Sequence, residues 1–170
     1  MDANDTKTLV RLQEHGRESW ASLGEILGVT GPAAAERVRK LEERGVIRGY
    51  AATLDPGAVG IGITAFVAVT LDRPRHRRAF LDRVAALAEV QECHHVAGDD
   101  DFLLKVRCVD AEHLDHVLSN ELKGLDGVAR TRTTIVLRTM KETTALPLGD
   151  AIAKAHVSPP TRRASRKSTR

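Results

Sequence analysis

The chain has 170 residues, of which 42% are hydrophobic, 3% aromatic and 29% charged, a composition that fits an aliphatic-cored protein of one ordinary domain or two small ones. It shows neither an apolar run of membrane-span length nor the apolar core of a signal peptide at its N-terminus, so a cytoplasmic address is the default expectation. The net charge of +3 is unevenly placed: residues 151–170 carry +6 and no acid, so residues 1–150 sum to −3 and the basic pI belongs to the tail. Nucleic-acid binding by the folded body therefore has to be argued from local pattern.

Residues 1–54 read as a helix with Leu9 and Leu12 inward, then two shorter helices joined by a Gly-containing turn. Trp20, Leu23, Ile26 and Leu27 recur at helical spacing, Gly28 ends the run, Thr30 is placed to cap the next helix and Pro32 suits its first turn. On that next helix Ala34, Val38 and Leu41 form an apolar stripe, while Arg37, Lys40 and Arg44 share a separate face. The strand-like VIRGYAATL that follows, Val46 to Leu54, completes the pattern of a winged helix-turn-helix. Expected DNA contacts are Thr30, Ala33, Arg37, Lys40 and Arg44, with the basic side chains on phosphate and Ala33 suited to a thymine methyl. Because Gly31-Pro32-Ala33-Ala34-Ala35 offers few hydrogen-bonding groups to base edges, most specificity is expected from DNA shape and bending.

Asp55-Pro56-Gly57, with Gly60 and Gly62, interrupts both periodicities and marks a hinge over 55–63. From Thr64 to Met140 the order is strand, helix, strand, strand, helix, strand, the ferredoxin-like pattern of an α+β domain. Thr64–Leu71 is β-rich, and Pro74 opens a helix that places Phe80, Val84 and Leu87 inward. Val90–Ala97 and Phe102–Val109 form a hairpin around Gly98-Asp99-Asp100-Asp101, Asp110 caps a helix with Leu114, Val117 and Leu118 inward, and Arg130–Met140 is the last strand. A register with Ala97 opposite Phe102 puts Glu92 opposite Arg107, keeps Cys93 with His95, Leu104 and Val106 on one face, and leaves Cys93 and Cys108 unpaired. Residues 141–170 read as an extension whose basic end, after Ser158-Pro159-Pro160, is disordered.

Cys93-His94-His95 offers metal-ligand types, but neighbours on a strand point to opposite faces, so these read as packed or pocket-lining side chains. Alternation separates Asp99, Asp100 and Asp101 in the same way, and a turn accounts for them without a cation. No metal or cofactor is expected, and no nucleophile elbow, Walker loop or dinucleotide fingerprint is present.

Asp2 and Asp5 with Leu9 and Leu12, Gly16-Arg17, ERVRKLEERGVIRGY over Glu36–Tyr50, QECHHVAGDDDFLLK over Gln91–Lys105 and GVARTRTTIV over Gly127–Val136 occur in one order. In these blocks the chain resembles the Lrp/AsnC (leucine-responsive, feast/famine) family of prokaryotic transcription factors. The resemblance implies a regulator that binds double-stranded DNA, with a C-terminal domain that dimerises and binds an amino acid or related metabolite; assembly to tetramers or octamers is left open. It further implies that Gly98, Asp99 and Asp101 shape the effector pocket, together with His95, Thr134, Ile135 and Val136. His95 stands where a well-known relative has leucine, which points to a more polar side-chain pocket than one for leucine. Two alternatives remain: an enzyme similar to siroheme decarboxylases, using His94, His95, His113 and His116, and an interaction module without DNA binding.

Overall fold

The structure, a computed structural model, describes residues 1–148. It divides into two compact units: residues 1–51 with the described chain from Thr143 onward, and Ala52–Glu142.

The first unit is helical. Helix α1, Ala3–Glu14, starts in a capping box in which the Asp2 carboxylate accepts from the Asp5 N–H and the Asp5 carboxylate accepts from the Asp2 N–H. Helix α2, Trp20–Leu27, is capped by Ser19, and α3, Gly31–Glu43, by Thr30. Leu12, Leu23, Leu27, Ala34 and Val38 make the core, with Leu41 also fully buried. Gly24 is required by close approach: a Cβ there would lie 2.7 Å from the carbonyl oxygen of Val29 in the turn between α2 and α3. Helix α2 buries only the narrow stripe of Leu23, Gly24 and Leu27, so Trp20 and Ile26, which share their helical spacing, are exposed at its margins. The expected wing strand is also absent. Residues 46–54 form no strand: the Val46 and Ile47 N–H groups turn back to Leu41 O at the end of α3, and no strand among the described residues lies beside the rest.

The second unit has the expected βαββαβ order, with strands β1 (Ile63–Leu71), β2 (Val90–His95), β3 (Phe102–Cys108) and β4 (Val128–Ile135). They form one antiparallel sheet in the order β2-β3-β1-β4. Helices α4 (Arg77–Ala86) and α5 (Ala111–His116, continued by a π-helical turn, Val117–Leu122) cover one face. Ala65, Val67, Val69, Phe102, Leu104 and Val106 of the sheet pack there against Phe80, Val84, Leu114 and Val117. Pro74 opens a 3-10 turn, Pro74–His76, rather than the helix itself.

The hairpin register differs from expectation. His95, not Ala97, lies opposite Phe102, and Glu92 lies opposite Lys105 rather than Arg107. Asp101 causes the shift: its N–H donates to Val69 O and its C=O accepts from Val96, which aligns it with the strands and leaves Ala97–Asp100 as the loop. The slip is two positions in pairing, so every side chain keeps its expected face. Arg107 instead pairs with Glu142, which also takes Lys105. Cys93 and Cys108 are both free. In the first unit the Gln13 amide brackets the backbone of Leu146, donating to its C=O and accepting from its N–H. The basic end of the chain, expected to be disordered, lies outside the described residues.

Candidate functional site

Two surfaces correspond to the expected sites, one in each unit. On the first, Thr30 caps α3 by accepting from the Ala33 N–H at 3.4 Å, so its hydroxyl is committed to the start of the helix, with Ala33 exposed beside it. Lys40 and Arg44 are exposed on the last turns. Arg37 is not free. Its guanidinium, 26% exposed, donates to Asp2 at 2.8 and 2.9 Å and to Asp5, so it ties α3 to the capping box that starts α1. The expected triplet therefore separates into two exposed cations and one half-buried tie. The same pairing acts on the acid: the Arg37 guanidinium holds the Asp2 carboxyl below its ordinary value, helped by the Asp5 N–H.

The second surface lies at the β2–β3 turn. Gly98 and Asp99 are exposed, and the Asp99 carboxylate has no partner among the described residues. Asp101 is used by the fold, its carboxylate accepting from the Leu71 N–H at 2.7 Å. His95 stacks near Phe102, ring centroids 5.4 Å apart, on the helix-covered side of edge strand β2. Thr134 pairs with Phe66 and so takes the opposite face, on the other edge strand. Ile135 returns to the helix side and is half exposed, and Val136 continues the ladder by donating to Thr64 O. Edge strands β2 and β4 are three strand spacings apart, about 14 Å. One chain thus gathers His95 and the turn at one edge and Thr134–Val136 at the other.

Between them sits a group the sequence reading passed over. Asp100 is 8% exposed in its side chain and accepts from the Thr70 hydroxyl at 3.0 Å, from Arg130 at 3.2 Å and from Arg132 at 2.7 Å. The spacing of Arg130 and Arg132 was a usable signal, because i and i+2 on a strand put both cations on one face. Asp100 was obscured by its neighbours, since three aspartates in a turn read alike until one is buried.

The comparisons with known proteins match this layout. The AsnC-type helix-turn-helix domain model matches residues 1–42 and the Lrp/AsnC ligand binding domain model residues 64–146. The chain is 39% identical to the leucine-responsive regulatory protein of Haemophilus influenzae over 150 residues, covering 87% of this chain and 90% of that one. The chain belongs to the Lrp/AsnC family.

Solved structures of this family are similar throughout. A transcriptional regulator of Neisseria meningitidis in complex with L-Met is 33% identical, with a TM-score of 0.84 over 88% of this chain and 97% of that one. AsnC of Escherichia coli is 28% identical, with a TM-score of 0.80 over 85% and 97%. As an Lrp/AsnC member the chain is a DNA-binding transcriptional regulator with a ligand-binding domain, and not an enzyme. The four histidines of the enzyme alternative have separate local partners: His94 meets Glu92, His95 meets Phe102, His113 meets Glu89 and His116 meets Asn120. Among the described residues no helix is long and apolar enough to cross a membrane.

Proposed function

We propose that this regulator binds double-stranded DNA in the cytoplasm through α3 and that an amino acid, or a metabolite with the same zwitterionic head, bound in the second unit changes that affinity. The observation that carries the reading is the likeness to the regulator solved with L-Met, joined here to a turn with one free carboxylate, Asp99. We assign DNA contact to residues 1–54, with Thr30, Ala33, Lys40 and Arg44 on the exposed side of α3 and Arg37 positioning that helix from behind. Residues 55–63 serve as the hinge. Residues 64–140 carry dimerisation and the effector site, with His95, Gly98, Asp99 and Asp101 at one edge of the sheet and Thr134, Ile135 and Val136 at the other. A two-fold assembly is part of this proposal. It supplies paired recognition helices spaced for successive DNA turns, roughly 34 Å apart, and it lets one subunit's β4 edge complete a pocket begun by the other's turn.

Asp99 is the ammonium acceptor in this reading, because Asp100 and Asp101 are already committed to Arg130, Arg132 and the Leu71 N–H. Calorimetry of the twenty amino acids against wild type and Asp99→Asn, with DNA affinity measured with and without each ligand, tests it. A ligand is expected to bind wild type, to lose at least tenfold on Asp99→Asn, and to shift DNA affinity by the same factor by which DNA shifts its own. Equal binding to both proteins would remove Asp99 from the site, and a ligand without effect on DNA affinity would remove the effector role.

A further inference from the structure

Many arginines in the described chain are held by acids, among them Arg11 by Glu18, Arg39 by Glu36 and Glu43, Arg83 by Glu121 and Arg107 by Glu142. The densest exception is Arg73-Pro74-Arg75-His76-Arg77-Arg78, which runs from the β1–α4 connection into the first turn of α4 in the second unit. All four arginines are exposed, and among the described residues Arg73, Arg75 and Arg77 have no carboxylate partner. Arg78 lies 3.9 Å from Asp82 with both side chains mostly in solvent, a pair of little energetic weight.

The turn is held in shape from beneath. His76 Nε2 accepts from Arg75 Nε at 2.9 Å, and its Nδ1 lies 3.1 Å from Asp72 Oδ1 at an angle too oblique for a hydrogen bond. The ring occupies the space where residue 127 would carry a side chain: a Cβ on Gly127 would fall 1.6 Å from His76 Nδ1, and Gly127 sits at φ +89°. Arg77 is drawn aside over the Phe102 ring, 5.5 Å from its centroid. Arg73, Arg75 and Arg78 are therefore displayed on a fixed turn beside a shallow groove lined in part by Pro74 and Leu81.

We propose that this arginine turn is a second DNA-contact surface, binding the duplex phosphate backbone without regard to sequence. The inference rests on the DNA-binding reading above and extends it to the second unit. An open row of cations does not enclose a small anion, but it matches a polymer that presents one charge per ~1.7 Å of axis. The segment has no Phe, Tyr or Trp, and Phe80 just beyond it is buried, so the stacking platform that single strands require is missing. Duplex already held by α3 raises the local phosphate concentration around any further cation of the assembly.

The test compares full-length wild type with Arg73→Gln/Arg75→Gln/Arg78→Gln on a random duplex and on a duplex selected from genomic fragments, across a salt series. Each phosphate that is no longer neutralised lowers the slope of log affinity against log salt by about 0.9, so the triple variant is expected to reduce it by up to about 2.7. Random and selected DNA should weaken by the same factor, and the corresponding triple Lys variant should restore the slope. Lys123→Gln/Arg138→Gln/Lys141→Gln removes equal charge from exposed positions of the same unit and should change the slope far less. An unchanged slope in the Arg→Gln variant overturns the proposal, and so does an equal reduction in the charge control, which would make the effect one of net charge. Lack of DNA binding by wild type would instead overturn the proposed function, and this inference with it.

Discussion

Asp100 and Arg37 are each held by two partners of opposite charge, but a different member is withdrawn from water. In the second unit the carboxylate is buried and its partners, Arg130 and Arg132, are 57% and 68% exposed. In the first unit the cation is half-buried, and its partners are Asp5, at 11%, and Asp2, at 59%. Long arginines can lay their stems on apolar surface and keep their heads wet, whereas a short carboxylate under a turn cannot reach out. The difference teaches where each cluster is vulnerable. Removing the arginines strands a desolvated anion; removing one aspartate from Arg37 leaves it the other and water.

The largest expected effect follows from that asymmetry. Arg130→Ala/Arg132→Ala should destabilise the second unit by about 2 kcal/mol, less than the ~3–5 of a fully buried pair because the deleted cations are exposed and water partly replaces them. Asp100→Asn, which keeps the shape and removes the charge, should cost less than half as much. Denaturant midpoints at one fixed protein concentration check both, since self-association shifts apparent stability. If the double variant unfolds like wild type, Asp100 is not desolvated and the contrast between the clusters fails.

A smaller effect sharpens the division of labour among the three aspartates of the turn. Asp101→Ala leaves the Leu71 N–H without its acceptor and should cost about 1–2 kcal/mol, while Asp101→Asn retains an oxygen there and should cost under about 1. Asp99→Asn, at an exposed position, should leave the midpoint within about 0.5 kcal/mol. Equal destabilisation at all three positions would show that the turn is read wrongly.

Helical spacing and caps made the helix-turn-helix legible, because Thr30, Pro32 and the Ala34, Val38, Leu41 stripe act within a few residues of one another. Strand alternation likewise gave the faces of β2 and β3 correctly. What escaped depends on partners distant in sequence. The hairpin register was set by Val69, which lies thirty-two positions before Asp101. Arg37 read as free because its acids are on α1, and the wing failed because period-two patterning cannot tell whether a strand has a neighbour. The effector residues came from family resemblance. Alternation alone separates Thr134 from Ile135, and only the strand order shows that His95 lies on the far edge.

The smallest expected effect concerns the other cluster and bears most directly on DNA binding. The Asp2 carboxyl is held below its ordinary value chiefly by Arg37. A carboxylate whose pKa is depressed by folding stabilises the native state above its unfolded value, about 3.9, and that contribution fades as the pH falls through the lower folded value. Arg37→Ala should therefore raise the Asp2 midpoint in a carboxyl NMR titration, though not fully, because the Asp5 N–H remains. The stability gap between Arg37→Ala and wild type should be present near neutral pH and close in acid. Because its charge is spent on α1, Arg37→Ala should also flatten the salt dependence of DNA binding less than Lys40→Ala or Arg44→Ala does, each of which should lower the slope by about 0.9 if it holds one phosphate. An unmoved Asp2 midpoint together with a full drop in slope in Arg37→Ala would mean that Arg37 leaves the aspartates and meets the phosphate itself.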